Sequence, residues 1–453
     1  MPDSRINPGD RGPLRRFADG DYVDRDSCQR AFERMHRRDA VGDRIHLFFA
    51  IGGIVFLFGS PTMTEIAMAP LAVFFVVRVI NTFPVWIHGF GQPAVLVALA
   101  IAAWMGVSLL WSGDVAAGLE KMSDLRWMVM VGLIFPVIEH RMKLIAAMGV
   151  GIAMGHVGQA LDLFNGFGIG PLARLVENEP RRVSGWWHPV VGGSVLVAAM
   201  GLHLPGVLMG TGRTRWLAWA GFAAAGVGVV GTGSRGAWGA AVLMVAFGVV
   251  WGLVMRRIAL KRTLVLAGAS LVIVLVGGLL FRDAIISRVE ESRSELREIG
   301  EGDYSSYSGR RVRMAQLAVE AAVEHPIAGV GAGGYRAWMD EADPVGGTSP
   351  HAHNSVLHIG ATLGLVGLGL WAFFFWVLLR GAGRIWDEQQ QGPYGLGPMF
   401  AIVGLLLASS TDVVHLNQQT AAMIGLLAAL SPAICPGHPL WRRGDPDIDG
   451  APE

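Results

Sequence analysis

The sequence predicts an all-α, polytopic integral membrane protein with about 12 transmembrane helices and a small helical domain in one external loop. Three observations predict it. The 453 residues are 52% hydrophobic and 16% charged, with a mean hydropathy of +0.44, whereas a soluble chain carries roughly 25% charged residues. Twelve apolar runs, centred near residues 52, 72, 102, 132, 153, 198, 223, 246, 272, 367, 405 and 425, approach the roughly 20 residues that cross a bilayer. Basic residues fall in every second connection between those runs.

The first 43 residues are polar and arginine-rich, without the short apolar core and small-residue cleavage site of a signal peptide. They read as a cytoplasmic arm ahead of an uncleaved first span. With that arm inside, positive-inside bias places Arg78, Arg141 with Lys143, and Arg213 with Arg215 on the cytoplasmic side. Arg256, Arg257, Lys261 and Arg262 join them, then Arg380 with Arg384, and Arg442 with Arg443 in the tail. Both termini are then cytoplasmic. The organisation expected is an arm over 1–43, spans 1–9 over 44–281, an external loop over 282–353, spans 10–12 over 354–437 and a cytoplasmic tail over 438–453. Runs rich in small residues, such as "WAGFAAAGVGVVG" at 219–231, suit closely approaching helices in a packed bundle.

Composition also excludes. A net charge of +1 supplies no field toward nucleic acid. Cys28 and Cys435 lie near opposite ends, outside the apolar runs, so neither a disulfide framework nor a Cys-based metal or redox motif is expected. "GVGAGG" (Gly329, Gly331, Gly334) has the letters of a dinucleotide fingerprint, but it follows a Pro-terminated helix and not a strand, and reads as a flexible turn.

The external segments carry the chemistry. In "GRRVRMAQLAVEAAVEHP", Met314, Leu317, Ala318, Ala321 and Ala322 form one helix face, and Pro326 closes the helix. Upstream, "SRVEESRSELREIGEGD" reads as a solvated, mixed-charge helix. Three outer segments present arginine near glycine. Arg235 lies in the hairpin "GTGSRGAW" between Gly233 and Gly236, Arg181 and Arg182 lie in "NEPRRVSGWWHP", and Arg310, Arg311 and Arg313 lie in "SGRRVR". Few acids within these stretches neutralise them. Guanidinium groups bind phosphate oxygens bidentately, so a lipid-linked phosphate or diphosphate at the outer boundary is expected, against the plainer reading of headgroup contact.

"SPHAHNSVLHIG" (349–360) sets His351 and His353 at the outer mouth of the tenth span, with His358 about a turn and a half inside it. A zinc site wants a third ligand, and His358 lies five residues beyond His353, off the helical i+4 face. No metal is expected, and His358 reads as a polar contact within the bundle.

At this point the residues resemble a known family. "HAHNSVLHIGATLGLVGL" resembles the His-Asn-x-x-Leu signature and Gly-rich helix of the bacterial O-antigen ligase and polymerase superfamily. "GTGSRGAW", "SGRRVRMAQLAVEAAVEHPIAGVGAGGY" and "RRVSGWWHP" resemble three further segments of it, and Thr362 stands where the family often carries a glutamate.

The resemblance implies a metal-independent, cofactor-free glycosyltransferase of the GT-C type in the bacterial inner membrane, working at the periplasmic face. His353 would be the catalytic residue, and Arg235, Arg311, Arg182 and Arg310 would bind the diphosphate. Asn354, His351, Arg181 and Arg313 would support them. Ligase activity is the function expected first, moving polysaccharide from undecaprenyl diphosphate to lipid A–core. A polymerase of O-antigen or exopolysaccharide using the same donor is the alternative, with a transporter of lipid-linked glycan behind both. The partners implied are that donor, the lipid A–core acceptor and the phospholipid bilayer, with no nucleic acid.

Overall fold

The computed structural model describes residues 12–166, 182–183, 185–254, 260–343, 351–389 and 391–434. Secondary structure among these residues is all-helical, and each of the twelve apolar centres falls on a helix. Five helical stretches are long and apolar enough to cross a membrane, namely Pro93–Trp111, Val115–Phe164, Pro189–Met209, Arg235–Val254 and Ser355–Glu388. The number rises to seven if two bent pairs each count as one span, one of them turning by 109° at Arg78. The chain is thus an integral membrane protein by composition and helix length.

The helix Pro189–Met209 forms the axis. It is apolar all round and buried along nearly its whole length, as expected for a helix enclosed by others. Gly212–Gly231, Arg235–Val254 and Gly397–Ala408 pack on it. The last of these comes so close that a Cβ on Gly201 would sit 2.3 Å from the Phe400 carbonyl oxygen, and one on Gly404 would sit 2.7 Å from that of Val197. Small residues here let two backbones touch where no hydrophobic force draws helices together.

Arginines expected in connecting segments are instead anchored inside one end of the bundle. Arg78 is 4% exposed, donating from Nε to Asp39 (2.7 Å) and from Nη2 to Asp43 (2.6 Å). Arg141 is fully buried and satisfies its donors on the Leu430 carbonyl (2.6 Å), the Gly395 carbonyl (3.0 Å) and Gln391. Arg380 and Arg384 bond Asp19. Taking one partner from a buried pair costs about 3–5 kcal/mol, so these contacts fix the helix ends.

The acids in these pairs come from the N-terminal segment, so the arm is docked against the bundle. Its helix Arg25–Arg38 buries Cys28, Ala31, Phe32 and Met35, with Phe32 edge-on to Phe135 at 5.6 Å. Cys28 belongs to the core although it lies outside the apolar runs; Cys435 lies outside the described residues.

The "GVGAGG" turn is also not flexible. Gly329, Gly331 and Gly333 have φ of +67°, +91° and +79°, and the turn is wedged between residues 108–118 and residues 361–363. Its amides are spent within the protein: Val330 N–H on Ala361 O (2.8 Å), Gly331 N–H on Thr362 O (2.9 Å) and Ala332 N–H on Ser108 Oγ (3.0 Å). None of those three remains to cradle a phosphate.

Candidate active site

The site begins with a strained backbone. His353 has φ +50°, the one non-glycine residue with positive φ among those described. A side chain in the left-handed region costs about 1–2 kcal/mol, and such strain persists only where the surroundings impose it. The surroundings are visible. Asn354 caps the helix Ser355–Glu388, its Oδ1 accepting from Leu357 N–H (3.0 Å) while Nδ2 donates to Ser410 O (2.8 Å). Ser355 N–H donates to Ser409 O (2.9 Å) and its hydroxyl to Asp412 O (3.0 Å). The 409–412 loop thus staples the chain just after His353. Asn354 acts as this staple.

His351 and His353 meet edge to face with ring centroids 4.3 Å apart. His353 Nδ1 is buried without a hydrogen bond to any described residue. Burial, then His351 and the Arg311 charge, push the His353 pKa down to about 3. Burial, then Lys121 and Arg311, push His351 down to about 4. Both rings are neutral at pH 7.

Arg311 is the shared charge. In the second turn of Tyr307–Glu324, it donates to Tyr307 Oη (2.8 Å) and lies 4.8 Å from that ring's centre, while its Nε is buried without a described partner. Its charge acts on His351 and His353, on His188 and on Asp412. Desolvation, Arg182 and Arg311 lower the His188 pKa; burial raises that of Asp412 despite opposing contributions from the Val413 amide, Arg311 and Asn417.

The other arginines divide. Arg182 donates to Thr232 O (2.8 Å) with its stem lying on Gly233, whose φ of +62° allows that approach. Arg235 opens the helix Arg235–Val254, and a Cβ on Gly236 would meet Thr411 Oγ1 at 2.1 Å, so the hairpin abuts the loop that staples His353. Few acids lie within its own stretch, but Arg235 Nη1 bonds the buried Glu295 (2.9 Å) and Ser292 (2.6 Å) from elsewhere in the chain, and Nη2 bonds Ser308 (3.0 Å). Arg313 is likewise held by Asp343 (2.8 Å) and Glu320 (3.4 Å). Arg310 is exposed, and Arg181 lies outside the described residues.

His358 is buried about one turn into its helix, inside the bundle as expected. The helix Ser355–Glu388 breaks at Gly364 (φ +65°, ψ −164°), where a Cβ would strike Ile327 O at 2.2 Å. His358 therefore sits in a short segment before the break, with its ring 5.4 Å from Tyr335 and 6.1 Å from His415. Among the described residues no group of three or more His, Cys, Asp or Glu is arranged to hold a metal.

Sequence reasoning missed His188, Asp412 and Glu295 as site residues. Asp412 carried a signal, as an acid between two apolar runs. Glu295 carried none, since its meeting with Arg235 spans 60 positions.

Fold and site together define a helical membrane protein with an arginine–histidine cluster at one end of its bundle. Residues 220–372, from the helix before the Arg235 hairpin to beyond the Gly364 break, match the family model described as O-antigen ligase. That match supports an O-antigen ligase/polymerase assignment, a family whose members are glycosyltransferase-like enzymes acting on glycans. Among curated proteins, none matches.

Proposed function

We propose that this protein is an O-antigen ligase, transferring polysaccharide from undecaprenyl diphosphate to lipid A–core at the periplasmic face of the bacterial inner membrane. On this reading the bundle crosses the membrane twelve times in the GT-C manner, both termini are cytoplasmic, and the histidine end faces outward. The observation that supports it is the strained His353, its Nδ1 buried and unbonded and its ring edge to face with His351 at 4.3 Å, with the Arg311 charge acting on both rings. An anion seated there meets arginine on one side and a neutral base on the other.

The steps balance simply. An acceptor hydroxyl oxygen bonds to the anomeric carbon as the bond from that carbon to the diphosphate oxygen breaks, and the electron pair leaves with the diphosphate. Arg311 and Arg182 stabilise the charge growing on that oxygen, and the neutral His353 ring takes the hydroxyl proton. Arg235, tied to Glu295, joins the hairpin to the external helices and presents its remaining face to the diphosphate. Arg310 offers an exposed charge at the entrance, while Arg313 and Asn354 hold the external helix and the His353 turn in place.

Deleting the gene tests the reading. A ligase defect leaves bare lipid A–core while long polymer accumulates on the carrier, whereas a polymerase defect leaves core capped with a single repeat. Normal capping in the deletion strain would reject both. Substituting His353→Ala or Arg311→Ala, at equal protein level, is expected to abolish capping.

A further inference from the structure

Next to the His351–His353 pair lies a polar cavity of about 480 Å³ that the transfer chemistry above leaves unused. Four rings run through its wall in sequence: Tyr335 to His358 at 5.4 Å, His358 to His415 at 6.1 Å, and His415 to Trp371 at 5.0 Å. Two nitrogens on this wall, His358 Nδ1 and Trp371 Nε1, are buried without a hydrogen bond to any described residue. The residues carrying them are only 7% and 6% exposed. Buried polar atoms are nearly always paired, so two orphans on one cavity point to a polar occupant. At the rim, Lys121 pairs with Glu120 (3.1 Å), and Arg336 is exposed.

This combination suits a sugar. Aromatic rings take its C–H faces, while buried nitrogens and a charged rim take its hydroxyls. The volume matches about 16 liquid waters, room for roughly one or two sugar rings. The cavity adjoins the base through one helical turn: His358 on its wall donates its backbone N–H to the carbonyl of Asn354 (2.9 Å), the residue that follows His353. None of its lining residues comes from the arginine-bearing segments 182–188, 233–236 or 307–313. Donor diphosphate and cavity occupant would therefore be held by different elements.

We propose that this cavity is the acceptor subsite, holding the terminal sugar of the acceptor glycan with its hydroxyls on His358 Nδ1, Trp371 Nε1 and Lys121. The proposal rests on the glycosyltransferase reading, and its test separates the two. The full chain in lipid nanodiscs is assayed for transfer, with acceptor and donor varied independently. Trp371→Phe keeps the ring but removes the N–H, and Lys121→Met alters only the rim. Each is expected to raise the acceptor KM about tenfold, the worth of one hydrogen bond, without moving the donor KM.

In parallel, saturation-transfer NMR follows delipidated core oligosaccharide binding to the wild type, to Trp371→Phe and to His353→Ala. Binding is expected in the wild type and in His353→Ala, and is expected to weaken about tenfold in Trp371→Phe. Unchanged acceptor KM in both variants, or donor and acceptor KM rising together, would overturn the subsite while leaving the transferase reading intact. Oligosaccharide binding that depends on Trp371 without any transfer would overturn the transferase reading and keep the subsite. A wild type that neither transfers nor binds overturns both, with water as the occupant.

Discussion

Lowering the pH on the transfer reaction tests the His353 assignment most directly. A histidine of ordinary pKa near 6.5 loses about tenfold in neutral fraction between pH 7.5 and 5.5. With its pKa pushed down to about 3 by burial, His351 and Arg311, His353 stays neutral across that whole range. The kcat/KM profile reports the free enzyme and is therefore expected to stay flat from pH 7.5 to 5.5. The saturated enzyme differs, because the bound diphosphate offsets the Arg311 charge. One negative charge about 6 Å from the ring, at an effective dielectric of about 20, is worth about 2.8 kcal/mol, or about two pKa units. The acid limb of kcat is then expected near pH 5, above that of kcat/KM. The base strengthens when the donor arrives, which brings its pKa closer to the working pH. Initial rates with purified protein and lipid-linked donor, from pH 4.5 to 8, measure the kcat limb and the flatness of kcat/KM. A tenfold fall in kcat/KM centred near pH 6.5 would refute the argument that burial and Arg311 set this residue's protonation. So would a kcat limb at or below that of kcat/KM.

Other perturbations follow from single contacts. His353→Gly relieves the φ +50° strain, so the apparent Tm is expected to rise by about 1–2 °C while transfer falls at least about 100-fold; a lowered Tm by scanning fluorimetry would refute the strain. Arg311→Gln removes the charge shared by the histidines and is expected to cost about 100-fold or more in transfer. Arg313→Gln, whose parent is held by Asp343 and Glu320, is expected to cost under about tenfold; equal losses in the two variants would refute this division of the arginines. Gly333→Ala puts a Cβ 2.2 Å from Gly118 N at φ +79°, a cost of about 2–5 kcal/mol, and is expected to cut the yield of folded protein sharply.

The sequence by itself determined what depends on local composition. Long apolar runs with few charges must be helical in a bilayer, because no water is there to satisfy an open backbone. Each of the twelve apolar centres accordingly lies on a helix. The His-Asn and Ser-Arg-Gly stretches were legible for a similar reason: polar residues at the mouths of apolar runs stand out. The helix face of Met314, Leu317, Ala318 and Ala321 was readable from its period, and these residues are buried.

Tertiary structure alone decided how each charge is spent. Arg235 looked unpartnered in its hairpin until the fold brought Glu295 to it, and Arg78 looked like a loop arginine until Asp39 and Asp43 closed on it. The glycine-rich turn looked flexible until it was found wedged against residues 112–118 with its amides already used. The kink at Gly364, which sets His358 beside Tyr335 and His415, depends on the carbonyl of Ile327 pressing on a glycine. The strained His353 is imposed by residues 409–412, more than fifty positions away. Ion pairing, desolvation and backbone strain fall off over a few ångströms of space, and distance along the chain does not report those ångströms.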